Sequence, residues 1–188
     1  WPSSAAQPVL TQLERNHICW ESVKRHQGNR PFDVIVRTRP DMAVVRPLRL
    51  GSLVRLHAAN MSRILLARAR CWPDGKLPRA AWTYGHTRCG GESLADDAFF
   101  VVGGGAAADA VFSRPDEDLL GGHLGRDPRH FPRCNASFKA AVIVECVFSR
   151  HLHRRGMTFV PTSLHVGIAR VARNAEGHAL RASNIRIE

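Results

Sequence analysis

The sequence predicts an α/β domain, with a mixed, mainly parallel sheet flanked by helices. Three observations predict it. An amphipathic stretch from Val9 to about His26 passes through Gly28 straight into the apolar run Phe32-Asp33-Val34-Ile35-Val36, a helix feeding a strand. Leu94 to Val102 is a second strand-like run, followed by Gly103-Gly104-Gly105 and the helix-forming segment Ala106 to Phe112. Helical spacing returns from Ala140 to Arg154 and gives way after Gly156 to the short β-favouring run Met157 to Val160. A helix joined to a strand in this way is half of a βαβ crossover, whose strands lie parallel.

The first helix rests on Leu10, Leu13, His17, Trp20 and Lys24, which recur at three- and four-residue steps, with a start near Thr11 and a stop at Gly28. The strand from Phe32 to Val36 reads as buried on both faces, and Pro40 ends its ladder. Asp41 then stands just past a strand end, where open α/β sheets bind ligands, or else caps a turn after the proline. Leu48 to Leu56 fits a short helix or an edge strand, and Ile64 to Cys71 a strand. Cys71 to Gly91 is broken by proline and glycine and carries Trp72, Trp82, Tyr84 and His86. Long loops with aromatic residues favour function, so Trp72 and Trp82 are either platforms for a sugar ring or anchors of the loop on the core.

Asp96 and Asp97 precede the buried run to Val102, a second pairing of carboxylates with a strand, and would by themselves form a polar cap at the strand entrance. The glycine triplet after it is a flexible turn or a backbone cradle for phosphate. Residues 114 to 137 read as a surface excursion rich in Asp, Gly, Pro and His, and Val166 to Arg170 as the last strand. Residues 1–8 are expected to be a flexible lead-in, 9–173 a single domain, and 174–188 a polar tail.

A hydrophobic fraction of 44% in 188 residues is enough for a real core and excludes a disordered chain. The net charge of +11 points toward polyanions, yet 24 of the 27 basic residues are arginines scattered along the whole chain. A basic, Arg-rich module that binds nucleic acid or another polyanion without catalysis is therefore the alternative reading, with no clear nucleic-acid motif to carry it. The five cysteines have neither C-x-x-C nor zinc-finger spacing, which leaves disulfides or buried thiols. Together with the sequons Asn60-Met61-Ser62 and Asn135-Ala136-Ser137 they favour a glycoprotein of the secretory lumen. No apolar run reaches the ~18 to 20 residues that span a bilayer, and no signal-peptide core is present. A zinc site on Cys134, Cys146, His151 and His153 is a further arrangement that the residue types allow. His151 and His165 are otherwise expected to be core residues rather than ligands.

Three segments in succession resemble one known family. Asp33 to Asp41, Asp96 to Val102 with Ala107 to Phe112, and Glu145-Cys146 with His151-Leu152 and Gly156 to Val160 are similar, in order and spacing over about residues 10 to 170, to elements of GT-A-like glycosyltransferase domains of a plant and algal group. The resemblance implies the C-terminal portion of such a domain, a fragment truncated ahead of Val9, incomplete or inactive, since the family's first βαβ half would precede that point. It implies transfer of a sugar from a nucleotide-sugar donor to a glycan or protein acceptor in the Golgi lumen, with membrane attachment only through an upstream anchor. Asp97, Asp96 or Glu145 would be the catalytic carboxylates, and Arg37, Arg39 and Trp82 would bind substrate. The family's D-x-D pair is replaced by Arg39-Pro40-Asp41, so Asp41 is the carboxylate left for a divalent cation, Mn²⁺ or Mg²⁺.

Overall fold

The computed structural model describes residues 7–39, 42–44, 49–56, 58–71, 83–84, 93–114, 134, 144–162, 166–171 and 185–187. In chain order the elements are α1 (Gln7–Gln27), β1 (Val34–Thr38), β2 (Met42–Val44), α2 (Leu50–Leu56), a 3-10 turn (Ala58–Asn60), β3 (Ile64–Cys71), β4 (Thr83–Tyr84), β5 (Ser93–Gly103), α3 (Ala106–Phe112), α4 (Val144–Arg154), β6 (Thr158–Pro161), β7 (Val166–Val171) and β8 (Ile185–Ile187).

β5 is the axis of the molecule. It lies between β1 and β3 in a five-stranded sheet of order β1-β5-β3-β4, with β6 added on β3. Side chains alternate across the sheet as the pleat requires. Phe100 and Val102 of β5, Leu65 and Ala67 of β3 and Ile35 of β1 face a core built with Trp20, Ala107, Val111, Phe112, Phe148 and Leu152 from three helices. Phe99, Val101, Ile64 and Leu66 face a smaller core with Met61 and Val54. A strand covered on both sides must be apolar on both, and for this reason β5 reads as a continuous hydrophobic run.

The expectation of a mainly parallel sheet is overturned. β1–β5, β3–β5 and β3–β4 are antiparallel, and only β3–β6 is parallel. Among the described residues, β3 and β5 have no helix between them, and strands joined without a helical crossover pair antiparallel. The parallel partner β6 follows β3 only after α3 and α4. Nor is β1 buried on both faces: it takes the edge of the order, and Phe32 and Val36 are 46% and 41% exposed. Part of the 174–188 segment, expected as a tail, forms β8, which joins β2 and β7 in a second, antiparallel sheet of order β2-β7-β8.

α1 follows its apolar stripe, with Leu10, Leu13 and Trp20 buried, and ends where Gly28 adopts φ 58° behind Lys24, Arg25 and His26, whose charge suits the helix C-terminus. It begins at Gln7, earlier than the Thr11 start expected. Trp20 stacks on Phe112 at 5.4 Å between ring centroids and donates from Nε1 to Asp109 Oδ1 at 2.9 Å, which fixes α1 on α3. Within the glycine triplet, Gly104 serves close packing. A Cβ on Gly104 would lie 1.6 Å from the Phe32 carbonyl oxygen, and the Gly104 N–H donates to Asp33 O at 2.9 Å. Among the described residues, no helix is long and apolar enough to cross a membrane.

Candidate functional site

The site grows from an irregularity in β5. Ala67 of β3 faces Phe100 and Ala69 faces Ala95, so two steps along β3 are matched by five along β5. That span holds Asp96, Asp97, Ala98 and Phe99 against Arg68 alone, three residues in surplus, and β5 swells away from β3 there while Phe99 keeps its place opposite Thr38 of β1. Two of its backbone donors are met by side chains. The Ala98 N–H donates to Asp96 Oδ1 at 2.9 Å, an Asx turn, and the Ala95 N–H donates to Ser149 Oγ of α4 at 2.9 Å. Asp96 is thus a structural brace inside the strand, not a cap at its entrance.

Asp97 is 3% exposed, and its carboxylate faces α1, where Gln12 Nε2 donates to Oδ2. Burial pushes the carboxyl up to about 7, from an ordinary 3.8. The Glu145 charge pushes the same way, Arg37 pulls it down, Asp96 raises it and Arg39 lowers it. Arg37 donates from one terminal nitrogen to the Asp97 carbonyl and from the other to Asn16 Oδ1 at 3.3 Å, and its guanidinium lies 6.0 Å from the Phe100 ring centroid. The Arg39 N–H reaches Ala98 O at 3.1 Å, so β1 ends against the swollen part of β5.

Between α1 and β1 opens a cleft of about 310 Å³, at the small end of the ~300 to 1,000 Å³ of ligand sites. Arg37 and Arg39 line it with Asn16, while Asp97 stands behind Arg37 rather than on the wall. The charges of Arg37, Arg39, Asp96 and Glu145 all reach Asp97, so these five predicted residues gather around it. Asp41 and Trp82, and with them His165, lie outside the described residues.

Glu145 sits in the first turn of α4, buried, where a carboxylate suits the positive end of the helix. The residue after it, Cys146, is bonded to Cys134, with the Cα atoms 5.7 Å apart. That disulfide removes both thiolates from the zinc arrangement, which is thereby overturned. His151 is fully buried, with Nε2 3.0 Å from the Ala110 carbonyl, a core residue as expected.

Sequence reasoning misses Gln12 and Asn16. The signal was a second stripe on α1, Gln12, Asn16, Cys19 and Val23 at helical spacing beside the apolar one, with three polar or small residues where a solvent face carries charge. Among the described residues, no three of His, Cys, Asp or Glu form a group that could hold a metal ion. Asp96 accepts a hydrogen bond from the Ala98 N–H, and Asp97 accepts one from the Gln12 amide. Compared with known proteins, the chain matches no family model, no curated protein and no solved structure.

Proposed function

We propose that the chain is a glycosyltransferase-like domain that moves a sugar from a nucleotide-sugar donor to an acceptor hydroxyl. The observation that carries this reading is the Asp97 carboxyl, whose pKa is pushed up to about 7 by burial and by Glu145, next to Arg37, which donates to the Asp97 backbone carbonyl and lines the cleft. A general base works best when its pKa lies close to the operating pH. Asp97 in its ionised form takes the proton of the acceptor hydroxyl through one intervening water, since its carboxylate stands behind Arg37, as that oxygen bonds to the anomeric carbon and the bond to the diphosphate breaks. Arg37 and Arg39 offset the charge gathering on the departing diphosphate. Glu145 keeps Asp97 basic, and Asp96 holds the strand in its swollen shape.

A Mn²⁺ or Mg²⁺ ion supplies further charge neutralisation in such chemistry, and Asp41 is the carboxylate to test for it. The Cys134–Cys146 disulfide supports an oxidising compartment, as the lumen of the secretory pathway provides. Trp82 belongs to the same proposal as a platform for the sugar ring.

The test is nucleotide release from a panel of UDP- and GDP-sugars, with and without Mn²⁺, by the wild type, Asp97→Asn and Asp41→Ala. Release by the wild type that falls about 100-fold or more in a folded Asp97→Asn variant is the expected result. No release from any donor, alongside salt-sensitive binding of heparin or RNA, returns the chain to the polyanion-binding alternative.

A further inference from the structure

β1 offers a strand edge in the right phase to pair with another strand. Among the described residues it pairs with β5 alone. The Arg39 N–H donates to Ala98 O and the Asp33 carbonyl accepts from the Gly104 N–H, so the odd-numbered residues of β1 direct their main-chain groups at β5. Those of Val34, Val36 and Thr38 therefore point the other way. Val36 is 41% exposed and Thr38 is exposed too, so this side of the strand meets water. The cleft agrees with this: residues 35–39 border it in succession, although their side chains alternate between the two faces. A cleft that touches both faces of a strand opens along its edge.

The edge is complementary to itself. Laid antiparallel on a second copy about a two-fold axis at Val36, the whole of β1 overlaps. Val36 meets Val36, and Val34 meets Thr38 on either side, each pair exchanging both of its main-chain hydrogen bonds. Exposed Asp33 then stands opposite Arg39 of the copy, so unlike charges meet at both ends of the seam. Arg37, drawn back by the Asp97 carbonyl and Asn16, stands opposite Ile35. Neighbouring registers are worse. Sliding toward Arg39 sets Arg37 against its own copy, and sliding toward Phe32 calls on an N–H that already donates to Gln27 Oε1 at 3.4 Å. We propose that the chain forms a two-fold dimer through β1, which joins the sheets of two copies and makes the second copy the outer border of the α1–β1 cleft. The pairing uses main-chain groups, draws on neither guanidinium, and stands whether or not the chain moves sugars.

The test is sedimentation equilibrium of the 188-residue chain over about 1 µM to 1 mM, with cysteine trapping to read the register. A monomer–dimer equilibrium is expected. Val36→Pro, which removes an N–H directed away from β5, and Val36→Arg, at an exposed position, each raise its dissociation constant about tenfold or more while circular dichroism stays that of the folded chain. For trapping, a Cys19→Ser background removes the exposed free thiol. There Val36→Cys, oxidised with copper phenanthroline, gives a covalent dimer, since residues that face each other across such a pair have Cα atoms ~5.5 Å apart, within disulfide reach. Thr38→Cys, roughly 14 Å from its own copy, does not. The proposal is overturned if the chain is monomeric throughout, which leaves the edge to a strand of a different protein, or if both Val36 variants dimerise as tightly as the wild type. It is overturned equally if Val36→Cys cross-links no faster than Thr38→Cys. Neither nucleotide nor sugar enters the assay, so a failed sugar-transfer experiment leaves this result untouched.

Discussion

Gln12 and Asp97 are 85 positions apart in the chain, yet the Gln12 amide donates to the Asp97 carboxylate. This contact pins the first helix to the swollen part of the central strand, and with Asn16 to Arg37 it sets the width of the cleft between α1 and β1. A carboxyl group so enclosed has consequences for stability as well as for chemistry.

The pH dependence follows from the direction of the Asp97 shift. In the unfolded chain the group titrates near 3.8, and in the folded chain at about 7, so between those values the native state holds the extra proton. Stability therefore falls as pH rises from about 4 through 7, by at most ~4 kcal/mol from this group, and levels off above. Denaturant unfolding of wild type and Asp97→Asn at several pH values across that window checks it: the difference between the two should widen in the variant's favour as pH rises.

Asp96 and Asp97 separate by substitution even though they are neighbours. Asp96→Ala loses the Asx turn to the Ala98 N–H and should cost about 1–3 kcal/mol, whereas Asp96→Asn keeps an acceptor oxygen in place and should be nearly silent. Thermal unfolding of the two variants distinguishes a brace from a reacting group.

Gly104 should tolerate no side chain. A Cβ there collides with the Phe32 carbonyl, a backbone group that cannot swing aside, so Gly104→Ala should destabilise by more than about 3 kcal/mol or prevent folding. At Gly105, where φ is 58° but nothing lies within 4 Å, alanine should cost only about 1 kcal/mol. Soluble yield and melting temperature report the contrast.

The Cys134–Cys146 bridge holds the start of α4 and so the placement of Glu145. Cys134→Ser with Cys146→Ser should lower stability by about 2–4 kcal/mol, and because both cysteines are fully buried, reductant should act on the wild type only as it unfolds. Thiol labelling followed by mass measurement over a denaturant series checks the second point.

Much of the fold is legible in the sequence because local signals agree with it. α1 carries a period of three to four, α3 is built of helix-favouring residues, the run Ile64–Cys71 alternates toward its end, and Gly28, Gly105 and Gly156 mark the turns at positive φ. Strand direction is less legible, since a helix beside a strand says nothing of which neighbour the strand will choose, and β1 chose an antiparallel place on β5. The carboxylates Asp96, Asp97 and Glu145 are visible as residues, but the swelling of β5 that separates their roles is a register event between two strands. Gln12 and Asn16 look like an ordinary polar flank until α1 is laid against β1.

The most direct test of the central claim is the pH profile of nucleotide release from whichever sugar donor the wild type accepts. Turnover should rise as Asp97 loses its proton and reach a plateau above about pH 7, and the residual rate of Asp97→Asn should lack that rise. The same inflection in wild type and variant would place the base elsewhere and contradict the account.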